Sequence, residues 1–509
     1  MLRWLMKIIG WINKGWSFVN GVVRRFDRRM SDQYRPAHLA LVALAALAII
    51  MCIILLLPPY LGLSNDGSLD SVMADVGLAP LHPEAENPYF SYYDRLYRIA
   101  PDSYAPDTTP QLLKVTVRAA IWLDELLTGQ DGVFDIRVLA AIYMALYLAA
   151  LFPLLRGVLG RVRMYSEGLV LAVFCVLVFG DMTILVRFAS LYTQPWELIL
   201  MILLVDAAFV IPRQRDAWLP QMSILLVCWL LMGVNFYCSL ACIVLSMAYW
   251  LMLKRQTDVI HRTAYLGAAV LLCFISVLNA SNMLANQTKT EKYDQMTRGV
   301  LFQADNPEVA LEFFGIEPRY SVLTDTYASQ SFPAADLSTT VLDQGFLDQY
   351  DTGEVTLYYV THPLDLVRLF DVGVHSAFIT RTDFSGNYER SAGLPPRAKA
   401  PFMSIWSTFK EQSAPQTAGL ILLLGAALIF FRSKNKDETA EGEAEKVFTM
   451  LCVLLIVFAI VEMLTVVVMA GDSLLVRQSF LMSVFIDILV VLFLSEVLHK
   501  LKIIDVDKE

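Results

Sequence analysis

The chain alternates long apolar runs with polar stretches of very unequal length. Ten apolar runs stand out, at about 38–58, 135–155, 167–180, 196–211, 217–233, 236–253, 263–281, 417–431, 447–470 and 478–498. Runs of roughly 17–25 apolar residues match the hydrocarbon thickness of a bilayer. In lipid the backbone must satisfy its own hydrogen bonds, so such runs predict helices. The pattern predicts an all-α polytopic membrane protein with about ten transmembrane helices. The third run is short and ends at Gly180-Asp181, and the fifth and sixth are broken at Gly233-Val234-Asn235.

The polar stretches set the organisation. Residues 1–36 hold eight Lys and Arg against Asp27 and Asp32, with Leu5, Ile8, Ile9, Ile12, Trp16, Val19 and Val23 at helical spacing. This predicts a basic amphipathic helix on the cytoplasmic leaflet. A cleaved signal peptide is not expected, because the basic region is long and the next run is long enough to span with no clear cleavage site after it. A transmembrane core of about seven spans follows over 37–281, interrupted by an outer loop at 59–133. That loop carries four basic residues against eleven acids, the balance expected outside under the bias of Lys and Arg toward the inside. Within it, 112–127 has helical periodicity suited to lying along the membrane surface. Residues 282–416 form a second extracytoplasmic segment, expected to be mixed α/β. Spans eight to ten occupy 417–498, and 499–509 is a cytoplasmic tail. Every expected inner loop is basic, so both termini are placed in the cytoplasm and the protein in the cell membrane. No repeat suggests the inverted halves of a transporter.

Composition narrows the chemistry. Hydrophobic residues make up 56% of the 509, and the formal net charge of −9 offers no nucleic-acid surface. All seven cysteines lie inside apolar runs, where they read as small hydrophobes, and the six histidines lack metal-site spacing.

Candidate chemistry gathers at the ends of the spans. Asp66 and Asp70 follow the first span in L-S-N-D-G-S-L-D, where a carboxylate at the membrane edge can act as a general base. Asp181 and Arg187 lie at the exit of the third span, and Asp472 and Arg477 between the last two. Ionisable groups at such depth are costly and often functional. In the second outer segment, 356–367 reads as a strand-like run stopped by His362-Pro363 and followed by a helix. Residues 384–390 read as a glycine turn carrying Asn387, Tyr388 and Glu389. Amide, ring and carboxylate are the groups that hold sugars: hydroxyls take bidentate hydrogen bonds and a ring covers the apolar sugar face.

Taken in order, these motifs resemble the multi-spanning glycan-biosynthesis hexose transferases of Gram-positive bacteria, of the membrane-embedded GT-C type. The resemblance rests on Asn65-Asp66-Gly67, on Phe179-Gly180-Asp181 with Ser190-Leu191-Tyr192-Thr193-Gln194-Pro195, and on Tyr359-Val360-Thr361-His362-Pro363. It continues through Gly386-Asn387-Tyr388-Glu389, Trp406-Ser407, Gly471-Asp472, Arg477-Gln478 and Asp487. This chain has Ser68 where the family carries another acid, and Gln194 where it carries Glu. The resemblance implies a GT-C-like fold. It also implies transfer of a hexose, with inversion, from a polyprenyl-phosphate donor to a cell-surface glycan or lipid-linked acceptor. Asp66 would be the base, with Asp70 and Asp181 next. Arg187 and Arg477 would hold the phosphate, since a guanidinium pairs bidentately with it. His362, Asn387, Tyr388, Glu389 and Asp472 would contact sugar. A divalent metal near the phosphate is compatible with this chemistry, but no ligand set demands one. The rival readings are a transporter or flippase of a lipid-linked sugar, and a non-catalytic scaffold for glycan assembly.

Overall fold

Pro36 stands in the first turn of the first long helix, where its missing N–H is no loss, and begins α1 (Pro36–Met51). In the computed structural model a π-helical stretch, Cys52–Leu56, carries the helix to the end of its apolar run. The structure describes residues 34–65, 67, 69–81, 89–100, 109–129, 132–213, 218–253, 259–285, 287–328, 339–382, 385–433, 440–472 and 475–500, with a few positions between 21 and 30. The basic helix expected over 1–36 therefore lies almost wholly outside the described residues. Of that stretch, Asp27 accepts hydrogen bonds from the Ser166 amide at 2.8 Å and its hydroxyl at 2.7 Å.

Beyond α1 the chain builds a first lobe from β1 (Leu61–Leu63), α2 (Leu69–Val76), β2 (Leu78–Pro80), β3 (Leu96–Ile99), α3 (Gln111–Thr128) and β4 (Val133–Asp135). The helix expected over 112–127 is α3, which turns Val115, Trp122, Leu126 and Leu127 outward. The Asp135 side chain accepts from the Arg137 amide at 3.0 Å and so caps α4 (Ile136–Leu159). Then come α5 (Tyr165–Phe179), α6 (Met182–Leu185) with its 3₁₀ continuation to Phe188, α7 (Gln194–Val210), α8 (Trp218–Val234), α9 (Ser239–Leu253) and α10 (Val259–Ala285). Helix α7 is apolar around most of its circumference and buries fourteen of its residues, as a helix at the centre of a bundle must.

The second lobe is mainly helical and includes α11 (Thr352–Thr361) and α12 (Pro363–Phe378), then β5 (Ser385–Tyr388) and α13 (Ile405–Gln412). The bundle closes with α14 (Ala418–Ser433), α15 (Ala440–Ala470) and α16 (Phe480–Lys500). All ten apolar runs are helical. Six helices are long and apolar enough to cross a membrane, or seven if the pair α5–α6, bent by 48°, is one span. The others, α7, α8 and α14, run 17, 17 and 16 residues. The protein is thus a mostly helical, multi-pass membrane protein.

Two expectations for the second segment need correction. The strand-like stretch at 356–361 is helix α11. Asp351 accepts from the Glu354 amide at 2.8 Å and Glu354 accepts from the Asp351 amide at 3.1 Å, a capping box that overrides the β-propensity of Leu-Tyr-Tyr-Val. The mixed α/β character reduces, among the described residues, to β5 alone, and the motif at 385–388 is this strand and not a free turn. Strand β5 pairs antiparallel with β1 of the first lobe, Leu61 opposite Tyr388 and Leu63 opposite Ser385. Gly386, at φ 77°, is the extra residue of the bulge. The three-stranded sheet β2-β3-β4 belongs to the first lobe.

Across the β1–β5 ladder the packing is tight at one point. A Cβ on Gly62 would stand 2.2 Å from the Tyr93 ring, itself fully buried. Gly62→Ala is expected to destabilise the protein by about 1–3 kcal/mol through overpacking, measured as a lower thermal midpoint in detergent.

Candidate functional site

The two lobes enclose a cavity of about 700 Å³ at one end of the bundle. Its wall includes Asp70, Tyr89, Tyr93, Arg95, Tyr97 and Glu389. Asp70 opens α2, and its carboxylate accepts from Asn65 Nδ2 and from the Tyr89 hydroxyl, both at 2.8 Å. That hydrogen bond, and then the carboxylate's charge, hold the Tyr89 phenol above its usual ionisation range. Glu389 follows β5 and accepts from Arg95 Nε at 3.2 Å; the same guanidinium donates to Asp135 at 2.7 Å and lies over the Tyr60 ring. Of the candidate residues, Asp70 and Glu389 are thus brought to one cavity. Asp66 and Ser68 lie outside the described residues, although Asn65 and Gly67 on either side of Asp66 both adjoin Tyr89 or its hydrogen-bond partner.

Arg187 is linked through one side chain to the backbone of Arg477. The Arg187 guanidinium is buried over the Phe480 ring at 4.2 Å and donates to Gln194 Oε1. Gln194 Nε2 in turn donates to the Arg477 carbonyl at 3.3 Å. Arg477 lies 5.0 Å over the Tyr192 ring. In the cavity wall the Tyr97 phenol is pushed well up by burial first, then by Asp94 and Tyr192. Glu197, one turn into α7, is bound by the Thr193 hydroxyl at 2.7 Å. A carboxylate at position 194 would neutralise Arg187 and could not donate to the Arg477 carbonyl. The amide does both jobs and adds no charge beside Arg187, while the buried Glu197 carboxylate acts electrostatically on both arginines.

The remaining candidates stand apart from these two groups. Asp181 caps α6 by accepting from the Thr183 amide at 2.9 Å, and its other oxygen accepts from the Ser407 amide at 2.9 Å, so its carboxylate serves as a tie between segments. Asp472 is held by Arg298, whose Nε donates to it at 2.6 Å. His362 ends α11, stacks on Tyr358 at 4.2 Å and places Nδ1 3.0 Å from the Tyr358 carbonyl, a structural role at a helix terminus. Asn387 is fully buried in the β1–β5 sheet, behind the cavity wall, and Tyr388 is half-buried with its carbonyl accepting from the Tyr93 amide at 3.1 Å. Among the described residues no three His, Cys, Asp or Glu side chains gather as a metal site.

Arg95, Arg298 and Lys410 are the residues that the sequence did not single out. Each bonds to acids more than forty residues away or in another lobe, a relation with no local periodicity to reveal it: Arg95 to Glu389, Arg298 to Asp472 and Lys410 to Asp487.

The fold and site together define a multi-pass membrane protein whose helical bundle is capped at one end by two lobes around a cavity with charged groups in its wall. Residues 24–509 match the model of the YfdI N-terminal transmembrane domain, and the chain belongs to that family. No curated protein and no solved structure matches it.

Proposed function

We propose that the protein is a membrane-embedded glycosyltransferase of the GT-C type. It moves a hexose from a polyprenyl-phosphate donor to a cell-surface glycan or its lipid-linked precursor. The lobes lie on the outer face of the membrane; ten spans leave both termini in the cytoplasm, in keeping with the basic loops at the opposite end. The observation that carries the reading is the pair of span-end arginines, Arg187 tied through Gln194 to the backbone of Arg477, in a chain that also carries a cavity walled by Asp70 and Glu389.

The acceptor hydroxyl oxygen attacks the anomeric carbon, and the bond from that carbon to the phosphate oxygen breaks. The polyprenyl phosphate leaves with the electron pair, and the hydroxyl proton passes to a carboxylate. Attack opposite the leaving group inverts the centre. Because the leaving group is already anionic, it calls for positive charge and not for an acid, and the arginine pair supplies this. Asp66 remains the first choice of base and Asp70 the second, the latter aimed into the cavity by Asn65 and Tyr89. Glu389 and the tyrosines would hold sugar.

The test is label transfer from polyprenyl-phosphate hexoses to a crude lipid-linked glycan, using purified protein. Loss of transfer in Asp66→Asn assigns the base to Asp66; transfer retained there and lost in Asp70→Asn assigns it to Asp70. No transfer from any donor, with folded protein, overturns the reading. His362→Gln is expected to leave transfer unchanged in the same assay, since its ring is committed to Tyr358.

A further inference from the structure

Helix α13 has its polarity inside out. Its buried face carries Trp406, Ser407 and Lys410. Lys410 Nζ donates to the Ser483 hydroxyl at 2.9 Å and pairs with Asp487 at 2.9 Å, with the two charged side chains 3% and 2% exposed. The outward face carries Ile405, 67% exposed, and Phe409, 48% exposed, with Phe402 just before the helix and Gln412 at its last position. A helix facing water does the reverse, burying isoleucine and phenylalanine and exposing lysine.

Its neighbours place it below the ends of the spans. The Trp406 ring meets Phe174 edge-on at 5.4 Å, and its Nε1 donates to Asp487 at 2.8 Å. Phe174 and Asp487 lie five and seven residues inside the lobe-side ends of α5 and α16, a depth of about 7–10 Å at 1.5 Å per residue. Adjoining Phe174, α5 turns Val170 and Val173 outward, so the exposed side of α13 continues the apolar outer surface of a membrane helix. Eight residues are too few to cross a bilayer.

We propose that α13 is a re-entrant helix sunk into the hydrocarbon of the leaflet beneath the lobes, with lipid acyl chains as the partner of Phe402, Ile405 and Phe409. Its entry is fixed from the protein side: the Asp181 carboxylate accepts from the Ser407 amide, and the Met182 amide donates to the Met403 carbonyl at 2.8 Å. Non-helical backbone at such depth is tolerated where it is packed against protein, as it is here. The proposal stands apart from the transferase reading and survives its failure.

The test uses the full chain in phosphatidylcholine nanodiscs, with its seven cysteines replaced and a nitroxide attached at Ile405→Cys or Phe409→Cys. Labels at both sites are expected to collide with oxygen severalfold more than with a water-soluble nickel chelate, as a label at Val173→Cys does. Collision dominated by the nickel chelate, as at the exposed lobe position Glu354→Cys, overturns the proposal. Should the cysteine-free chain not fold, Ile405→Asp and Ile405→Leu in the native chain replace it. A lowered thermal midpoint for aspartate only is the expected result, and an unchanged or raised one for aspartate overturns the proposal.

Discussion

Arg477→Gln is expected to lower hexose transfer by at least ~100-fold with little change in thermal midpoint, the loss seen when one preorganised donor to a developing anion is removed. Arg477 is only partly buried, and the contact its backbone makes with Gln194 survives the substitution, so the folded state loses little. Arg187→Lys tests the other member. Lysine keeps the charge, but a single ammonium cannot both donate to Gln194 and the Thr183 carbonyl and present a fork to phosphate. Transfer by Arg187→Lys is therefore also expected to fall, with the loss greater at subsaturating donor. Near-normal transfer in both Arg477→Gln and Arg187→Lys would show that the pair does not hold the phosphate.

Lys410→Met is expected to destabilise the protein by about 3–5 kcal/mol, because it strands the buried Asp487 carboxylate without its cation. A buried pair is costly to desolvate, so the pair as a whole contributes far less than either half costs to remove. Lys410→Met combined with Asp487→Asn should accordingly regain most of the loss. The asparagine oxygen still accepts from Trp406 Nε1, and neither half of the pair leaves an unpaired charge behind. Thermal unfolding of the two single variants and the double variant in one detergent measures the coupling. Additive losses in the double variant would mean that the two groups do not act as a pair. Because α13 carries Lys410 and shares Asp181 with α6, the single variant is also expected to loosen the segment that leads to Arg187.

The helices were legible because their cause is local. A long apolar run in lipid has no water to satisfy its amides and closes its hydrogen bonds within itself, so the run and the helix coincide at all ten places. The amphipathic α3 was legible from its helical periodicity, which is equally a property of contiguous residues. Short β-prone stretches were not: Leu357 to Val360 has strand-like residues, yet the cap at Asp351 and the aromatic packing around Tyr358 decided for helix.

Charge placement divides along the same line. The sequence located Arg187 and Arg477 at span ends, since basic residues interrupting apolar runs are conspicuous. The resemblance set both on one phosphate, but the link itself is tertiary: Gln194 spans 283 residues to reach the Arg477 carbonyl. It offered Asp472 as a sugar ligand, and packing gave that carboxylate to Arg298, 174 residues away. It offered Asp181 as a third candidate base, and folding uses that carboxylate as a tie between α6 and α13. By itself the sequence determined a multi-pass helical bundle with its ionisable groups at the ends of the spans, because hydrophobic length and backbone self-satisfaction are properties of contiguous residues. Only the tertiary structure decided which of those groups meet in a cavity and which neutralise one another, because Coulombic and hydrogen-bond partners are chosen by proximity in space, and that proximity is set by how the helices pack.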